Sequence, residues 1–249
     1  MLTQERHLQI LAQLEEKGTV SVTQLTQLLG ASESTVRRDL IALDRLGKLH
    51  KVHGGATLTR RDFIRREEKL DEKLQLHMDE KEMIAAYAAA QVDDTDFVYF
   101  DAGSSTLLMI DHLQPGATFV TNGLLHAQRL VAKGMKTYVL GGELKHTTDA
   151  IIGLAAAKNL HNYNFSKCFI GTNGIAIRQG FTTPDTDEAY LKAAAMERSF
   201  VSYVLADASK FDKVSTVSFA SLDQAAIITD RLPDPEYGER TVVKEVALL

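Results

Sequence analysis

Apolar residues recur at helical spacing from the start of the chain. Leu8, Ile10, Leu11 and Leu14 predict a helix that Gly18 closes. Ser21 opens a second helix, with Gln24 three residues on in a capping-box arrangement. Leu25, Leu28 and Leu29 supply its apolar face, and Gly30 stops it. After the short turn Gly30-Ala31-Ser32, Ser32 is placed to cap a third helix. In that helix Val36, Leu40, Leu43 and Leu46 share one face, and Gly47 is the expected C-terminal cap. The stretch KLHKVHGGATL then predicts a two-stranded wing that turns at Gly54-Gly55. Farther on, helical stretches alternate with short apolar runs: FVYF, TFVT, KTYVL, KCFIG, VSYVLA and AAIIT. Helices are expected over Lys81–Ala90, from Thr106, from Leu124, near Leu154–Leu160 and over Asp187–Phe200. This alternation predicts a mostly parallel sheet flanked by helices.

Charge sharpens the division. The 249-residue chain carries a net charge of −5, yet residues 1–70 hold 12 Lys and Arg against 9 Asp and Glu. A basic head on an acidic body suits a nucleic-acid module joined to something else. Residues 60–73, RRDFIRREEKLDEK, are densely charged and read as a solvated linker or linker helix. We therefore expect residues 1–58 as a winged helix-turn-helix, 59–74 as a charged linker and 75–249 as the α/β domain. No stretch approaches the roughly 18 uninterrupted apolar residues of a membrane span. The first residues lack the basic start and apolar run of a signal peptide. One cysteine, Cys168, allows no internal disulfide and fits a reducing compartment. The cytoplasm is the expected location.

A short turn between two helices lets the second project into the major groove, where donors and acceptors distinguish base pairs. Such a helix needs short polar residues near its N-terminus and guanidinium groups beyond. Glu33, Ser34, Thr35, Arg37 and Arg38 have that order, and Lys51 and His53 on the wing are placed for the backbone or the minor groove. Arg37 and Arg38 point about 100° apart. One can read bases while the other clamps a phosphate, or Asp39 can tether one of them. A helical protein-interaction domain with a solvated charged face is the other reading of the same pattern.

The strand ends of the second half carry a different chemistry. Ligands of open parallel sheets bind beyond the carboxyl ends of the strands. FVYF runs into Asp101-Ala102-Gly103-Ser104-Ser105-Thr106 and a helix. Small residues permit close backbone approach, hydroxyls donate, and a helix N-terminus attracts anions. The other strands end in Thr121-Asn122-Gly123, Gly141-Gly142-Glu143, Gly171-Thr172-Asn173-Gly174 and Asp207-Ala208-Ser209-Lys210. Together they suit a hydroxylated, anionic ligand. No P-loop sequence occurs in the chain. Glu188 and Lys192 are four apart on one predicted helix, either as part of this site or as a plain surface ion pair.

The stretch SESTVRRDLIALDRLGKLHKVHGGAT resembles the signature of DeoR-family repressors, S-x-x-T-[IV]-R-R-D-L followed by a wing ending in H-G-G-A. Ser32, Thr35, Arg37, Arg38, Asp39 and Leu40 match in order and spacing, as do His53, Gly54, Gly55 and Ala56. Lys51 stands where the family often has Arg. The likeness continues through Asp101–Thr106, Thr121-Asn122, Gly141-Gly142, Gly171–Ile175, Glu188 with Lys192, and Asp207–Phe211, so it covers about residues 1–235. It implies a second domain similar to the fold of ribose-5-phosphate isomerase, a double-stranded DNA operator as partner, and a sugar-phosphate effector. The sensor half looks closest to members linked to fructose use, which makes fructose 1-phosphate the narrowest guess. It also implies a homo-oligomer and no enzymatic activity. The competing reading is a sugar-phosphate isomerase fused to a DNA-binding head, with Glu188 as the base. Asn173, where many members carry Asp, removes a carboxylate that such chemistry would use. No cofactor or metal is expected: the eight His are scattered, and His50 and His53 face opposite sides of the wing.

Overall fold

The computed structural model describes residues 2–46, 48–58, 62–64 and 69–246. The chain divides into two compact units, Met1–Asp62 and Phe63–Leu249.

In the first unit, α1 (Thr3–Lys17), α2 (Val22–Leu29) and α3 (Glu33–Arg45) pack with strands β1 (Thr19–Ser21), β2 (Leu49–Val52) and β3 (Gly55–Leu58). The caps form where the side chains demand them. Ser21 Oγ accepts from Gln24 N at 3.1 Å while Ser21 N donates to Gln24 Oε1 at 2.9 Å. Ser32 Oγ accepts from Thr35 N at 3.3 Å and starts α3. Ile10, Leu14, Leu25, Val36, Leu40 and Leu49 close the core. Leu8, Leu28 and Leu46 instead face solvent, because the apolar stripes of these short helices are narrower than the spacing alone suggests. Gly47 lies outside the described residues; the cap position is taken by Leu46, whose N–H reaches Ala42 O.

The wing has three strands, in the order β1-β3-β2, rather than the expected two. Three-residue β1 is too short to show alternation in sequence. It pairs with β3 because Gly55 has no Cβ: one added there would stand 2.1 Å from Val20 O. Gly54, at φ +82°, makes the turn.

Asp39 does not tether Arg37 or Arg38. Its carboxylate is buried against α1, where Arg6 Nε donates to Oδ2 at 2.7 Å and His7 Nε2 lies 3.3 Å from Oδ1. Arg37 pairs within its own helix with Glu33 at 3.2 Å. Burial alone would raise the Asp39 pKa, but hydrogen bonds and charge from Arg6, then His7, outweigh it and hold the carboxyl below its ordinary value.

The second unit is built on a seven-stranded sheet ordered β17-β16-β13-β10-β5-β6-β7, in which every described pairing is parallel. Its strands are β5 (Phe97–Phe100), β6 (Thr118–Thr121), β7 (Lys136–Val139), β10 (Phe165–Gly171), β13 (Ser199–Leu205), β16 (Ala226–Thr229) and β17 (Val243–Glu245). Helices α5 (Met78–Ala89), α6 (Ser104–His112), α7 (Leu124–Ala132), α8 (Leu154–Leu160) and α9 (Thr186–Glu197) cover the faces, and α10 (Glu236–Arg240) lies near the end. Strand side chains alternate between two cores. Tyr99, Cys168, Ile170, Val204 and Ile227 enter one; Val98, Phe100, Phe169, Leu205 and Ile228 enter the other. Burial on both faces explains the unbroken apolar runs in the sequence.

Smaller elements went unread in the sequence. A hairpin of β8 (Glu143–Lys145) and β9 (Ala150–Ile152) follows Gly141-Gly142, and β11 (Gly174–Ala176), β12 (Gly180–Thr183) and β15 (Val217–Ala220) form an antiparallel sheet. Part of the charged segment is structured. Strand β4 (Asp62–Ile64) shares a sheet with β14 (Lys213–Ser215), and α4 (Leu70–Gln75) buries Leu70. Residues 59–61 and 65–68 lie outside the described residues.

The first unit is predicted to depend on its core stripe and not on its exposed leucines. Leu40→Ala, fully buried, lowers stability by about 2–5 kcal/mol in denaturant unfolding. Leu46→Ala, at 67% exposed, changes it by no more than about 0.5 kcal/mol. Because the folded Asp39 pKa is depressed, its contribution is full above the unfolded value near 3.9 and is lost as pH falls through the folded value. Asp39→Asn therefore flattens the acid limb of the stability curve below about pH 4, measured by unfolding at stepped pH.

Candidate functional site

The chain runs β5, β6, β7 toward one edge of the sheet, then returns to place β10, β13, β16 and β17 toward the other. Order therefore reverses between β5 and β10. At such a point the loops leaving neighbouring strands diverge and open a crevice at their carboxyl ends.

Asp101 follows β5 and Gly171 ends β10, one on each side of that crevice. Asp101 N donates to Phe169 O at 3.1 Å, and Asp101 Oδ2 accepts from Gly171 N at 2.9 Å. The same oxygen is hydrogen-bonded by the Lys192 ammonium from α9, which also reaches Gly171 O at 3.0 Å. Both side chains are buried. This ion pair ties two strand ends and one helix into a rigid floor.

The expected loops meet over that floor to different degrees. Asp101, Gly103, Ser104, Ser105, Asn122, Gly171, Asn173, Glu188, Lys192, Asp207 and Lys210 line one pocket. Helix α6 starts at Ser104, two residues before the expected Thr106, so Ser104 and Ser105, both in the lining, belong to its first turn. Thr106 and Thr121 lie behind it, fully buried. Thr106 Oγ1 donates to Asp101 O at 2.6 Å and accepts from Gly103 N at 3.1 Å; Thr121 Oγ1 donates to Phe100 O at 2.8 Å. These hydroxyls shape the loops. Gly141, Gly142 and Gly174 are not among the lining residues. Gly142 packs its Cα against the β8–β9 hairpin, and Gly174 lies against the backbone of Lys213.

Glu188 and Lys192 are both buried on α9, and their partners come from elsewhere. Glu188 Oε1 accepts from Lys145 Nζ at 3.0 Å and Thr148 Oγ1 at 3.1 Å, both contributed by the β8–β9 hairpin. Lys145 also meets Asp185 at 2.8 Å; Asp185 Oδ1 in turn caps α9 by accepting from Asp187 N and Glu188 N. The plain surface ion pair between Glu188 and Lys192 is thus not what the fold makes of them.

Asp207 Oδ1 accepts from Ser209 N at 3.0 Å, while its buried Oδ2 has no hydrogen-bond partner among the described residues. Lys210 Nζ stands 3.9 Å from that oxygen. Asn173 Oδ1 accepts from Thr183 Oγ1 at 3.2 Å, and Asn122 is held at both ends, by Tyr99 Oη at 3.0 Å and Ile151 O at 3.2 Å.

Several contributors were missed in the sequence: Lys73, Lys81 and Thr148 line the pocket, and Tyr99, Lys145 and His126 support it. Lys81 left a signal. It shares a helical phase with Ile84, Ala85 and Ala88, all buried, so a cation sits on the buried face of α5. Its ammonium donates to Leu76 O at 2.6 Å and to Lys73 O, at the end of α4.

In the first unit, Ser34, Arg37 and Arg38 are exposed on α3, Thr35 is half-buried at its first turn, and Lys51 and His53 are exposed on the wing. Lys51 N donates to Asp44 Oδ1 at 2.9 Å, which fixes the wing strand to α3. The basic side chains on α3 and the wing are thus carried on tied elements.

Residues 6–68 match the model of the DeoR-like helix-turn-helix domain, and residues 76–231 match that of the DeoR C terminal sensor domain. The chain is 44% identical to an uncharacterized HTH-type transcriptional regulator FruR of Bacillus subtilis (strain 168), over 99% of each chain. It is 33% identical to the lactose phosphotransferase system repressor of Staphylococcus aureus (strain NCTC 8325 / PS 47), over 94% of each. Among solved structures, ribose 5-phosphate isomerase A of Methanocaldococcus jannaschii aligns with a TM-score of 0.41 and 15% identity over 54% of each chain, a likeness too slight to bear on activity. With both domain models matched in order and a relative similar along nearly its full length, this chain belongs to the DeoR family of helix-turn-helix regulators.

Proposed function

We propose that the protein is a DNA-binding repressor of a sugar uptake or catabolism operon, controlled by a phosphorylated sugar held in the pocket of its second unit. The observation that carries this reading is the convergence of a helix N-terminus, Ser104, Ser105 and Lys210 with the carboxylate of Asp207 and the amides of Asn122 and Asn173 at the reversal point of a parallel sheet. Amide N–H groups and an ammonium suit a phosphate. Carboxylate and amide oxygens suit hydroxyl donors. The name of one relative, the lactose phosphotransferase system repressor, supports a sugar as the source of that chemistry, and fructose 1-phosphate is the narrowest candidate that the sequence resemblance offers.

DNA contact falls to Ser34, Thr35, Arg37 and Arg38 on α3, with Lys51 and His53 of the wing on the backbone or the minor groove. Arg37 and Arg38 leave the helix in different directions, so one reads a base edge while the other holds a phosphate. Residues 59–74 serve as the connection between head and sensor. The protein acts in the cytoplasm as a homo-oligomer, and repeated half-sites in the operator mirror its symmetry. The ligand acts by binding one conformation more tightly than the other.

The protein is not an isomerase in this reading. Glu188 Oε1 is already engaged by Lys145 and Thr148, and residue 173 offers an amide where a second carboxylate would be needed.

Thermal unfolding of the full chain against a panel of sugar phosphates tests the pocket. A ligand at about 100 times its Kd stabilises by about 2.7 kcal/mol, which raises the midpoint by roughly 5–10 °C. Fructose 1-phosphate is expected to give the largest shift, and Lys210→Ala to remove it. If no sugar phosphate moves the midpoint of the wild-type protein, the reading fails.

A further inference from the structure

We propose that His126 is a positioning residue for the effector: its buried imidazole holds the Gly103 carbonyl and thereby aims Ser104 and Ser105 into the pocket. This rests on the pocket being the effector site.

His126 lies on α7, 1% exposed and outside the pocket lining. Its Nε2 is 3.0 Å from Gly103 O and 3.1 Å from Thr106 Oγ1. The Thr106 hydroxyl proton goes to Asp101 O and a carbonyl oxygen only accepts, so the tautomer that satisfies both contacts has the proton on Nε2. Gly103 O is also the first acceptor of α6, from Leu107 N at 3.0 Å. One carbonyl thus receives both the helix bond and the imidazole bond, with Thr106 Oγ1 as a third polar neighbour at 2.9 Å, and its peptide plane is held from several sides. Thr106 Oγ1 completes the clamp by accepting from Gly103 N and donating to Asp101 O. The two residues after Gly103 are the serines that face the pocket.

With the proton on Nε2, Nδ1 is a bare acceptor, and it has no hydrogen-bond partner among the described residues. Leaving a buried polar atom unpaired is unfavourable, and an aliphatic side chain would fill the same core without that penalty. A histidine here is explained by what its other nitrogen does. Burial, aided by Arg129 and Lys192 and opposed by Asp101 and the Gly103 hydrogen bond, lowers its pKa to about 4, so the ring is neutral near pH 7 and acts by direction rather than charge. Gly123 makes room for it: a Cβ there would stand 2.4 Å from His126 Nδ1. Gly123 has φ −94°, so an alanine would meet the ring, and less closely Ala102 Cβ at 3.2 Å, with no backbone strain.

The test is calorimetric titration of the full chain with fructose 1-phosphate, glucose 6-phosphate, glycerol 3-phosphate and inorganic phosphate, together with the ligand-free melting temperature. For the organic phosphate that binds the wild type most tightly, His126→Ala is expected to raise Kd about tenfold or more. His126→Gln, whose terminal amide nitrogen can take the place of Nε2, is expected to restore it to within about threefold. Gly123→Ala is expected to weaken binding alone and to add much less in the His126→Ala background, where the clash with the ring is gone and only the 3.2 Å approach to Ala102 Cβ remains. Unchanged Kd in His126→Ala overturns the proposal. So does equal loss in His126→Ala and His126→Gln that follows the fall in melting temperature, since the ring would then only fill space. Failure of the wild type to bind any of the four compounds overturns the pocket reading itself and is told apart by that protein alone.

Discussion

The sensor unit depends on one buried carboxylate. Asp101 leaves β5 where the sheet reverses direction, and its Oδ2 takes the Gly171 N–H and the Lys192 ammonium together. A carboxylate in that place needs donors, and among the described residues a strand end and a lysine from α9 supply them. Satisfying it brings β5, β10 and α9 into fixed register, and the pocket walls follow. The Asp207 loop from β13 and the Asn122 loop from β6 need only run off their own strands to meet there. The pocket is thus a consequence of parallel topology plus one ion pair.

The head is organised by a similar device with a different outcome. Asp39 belongs to the same short sequence as Arg37 and Arg38, yet it turns inward and binds Arg6 of α1. The acidic residue is spent on fastening α3 to the body of its unit, and the two arginines beside it stay exposed. A basic helix held rigidly on a small core presents its side chains at lower entropic penalty than a flexible one.

The main outline was legible in the sequence, for physical reasons that differ by element. Helices of the head announced themselves through Ser21, Gln24 and Ser32, because caps are local chemistry and need no tertiary knowledge. The central strands were visible as apolar runs because both faces are covered. Strand β1 and the β8–β9 hairpin were not, since three residues carry too little alternation to separate strand from turn. The pocket was legible where chemistry sits on a strand end, as at Asp101, Asn122 and Lys210, and where helical spacing pairs Glu188 with Lys192 on α9. The lining does not include Thr106 and Thr121, whose hydroxyls fold back onto backbone carbonyls, nor Gly141, Gly142 and Gly174. Lys145 and His126 could not be placed, because their partners lie 43 and 23 residues away in the chain.

The central claim is that occupancy of this pocket governs DNA binding by the head. It is tested most directly by fluorescence anisotropy of the full chain on a DNA fragment that the protein itself selects from genomic DNA, with and without fructose 1-phosphate and related sugar phosphates. The account predicts that a sugar phosphate moves the half-saturation point about tenfold in one direction and that Lys210→Ala abolishes the shift while still binding the fragment. Superimposable curves with and without every sugar phosphate would contradict it.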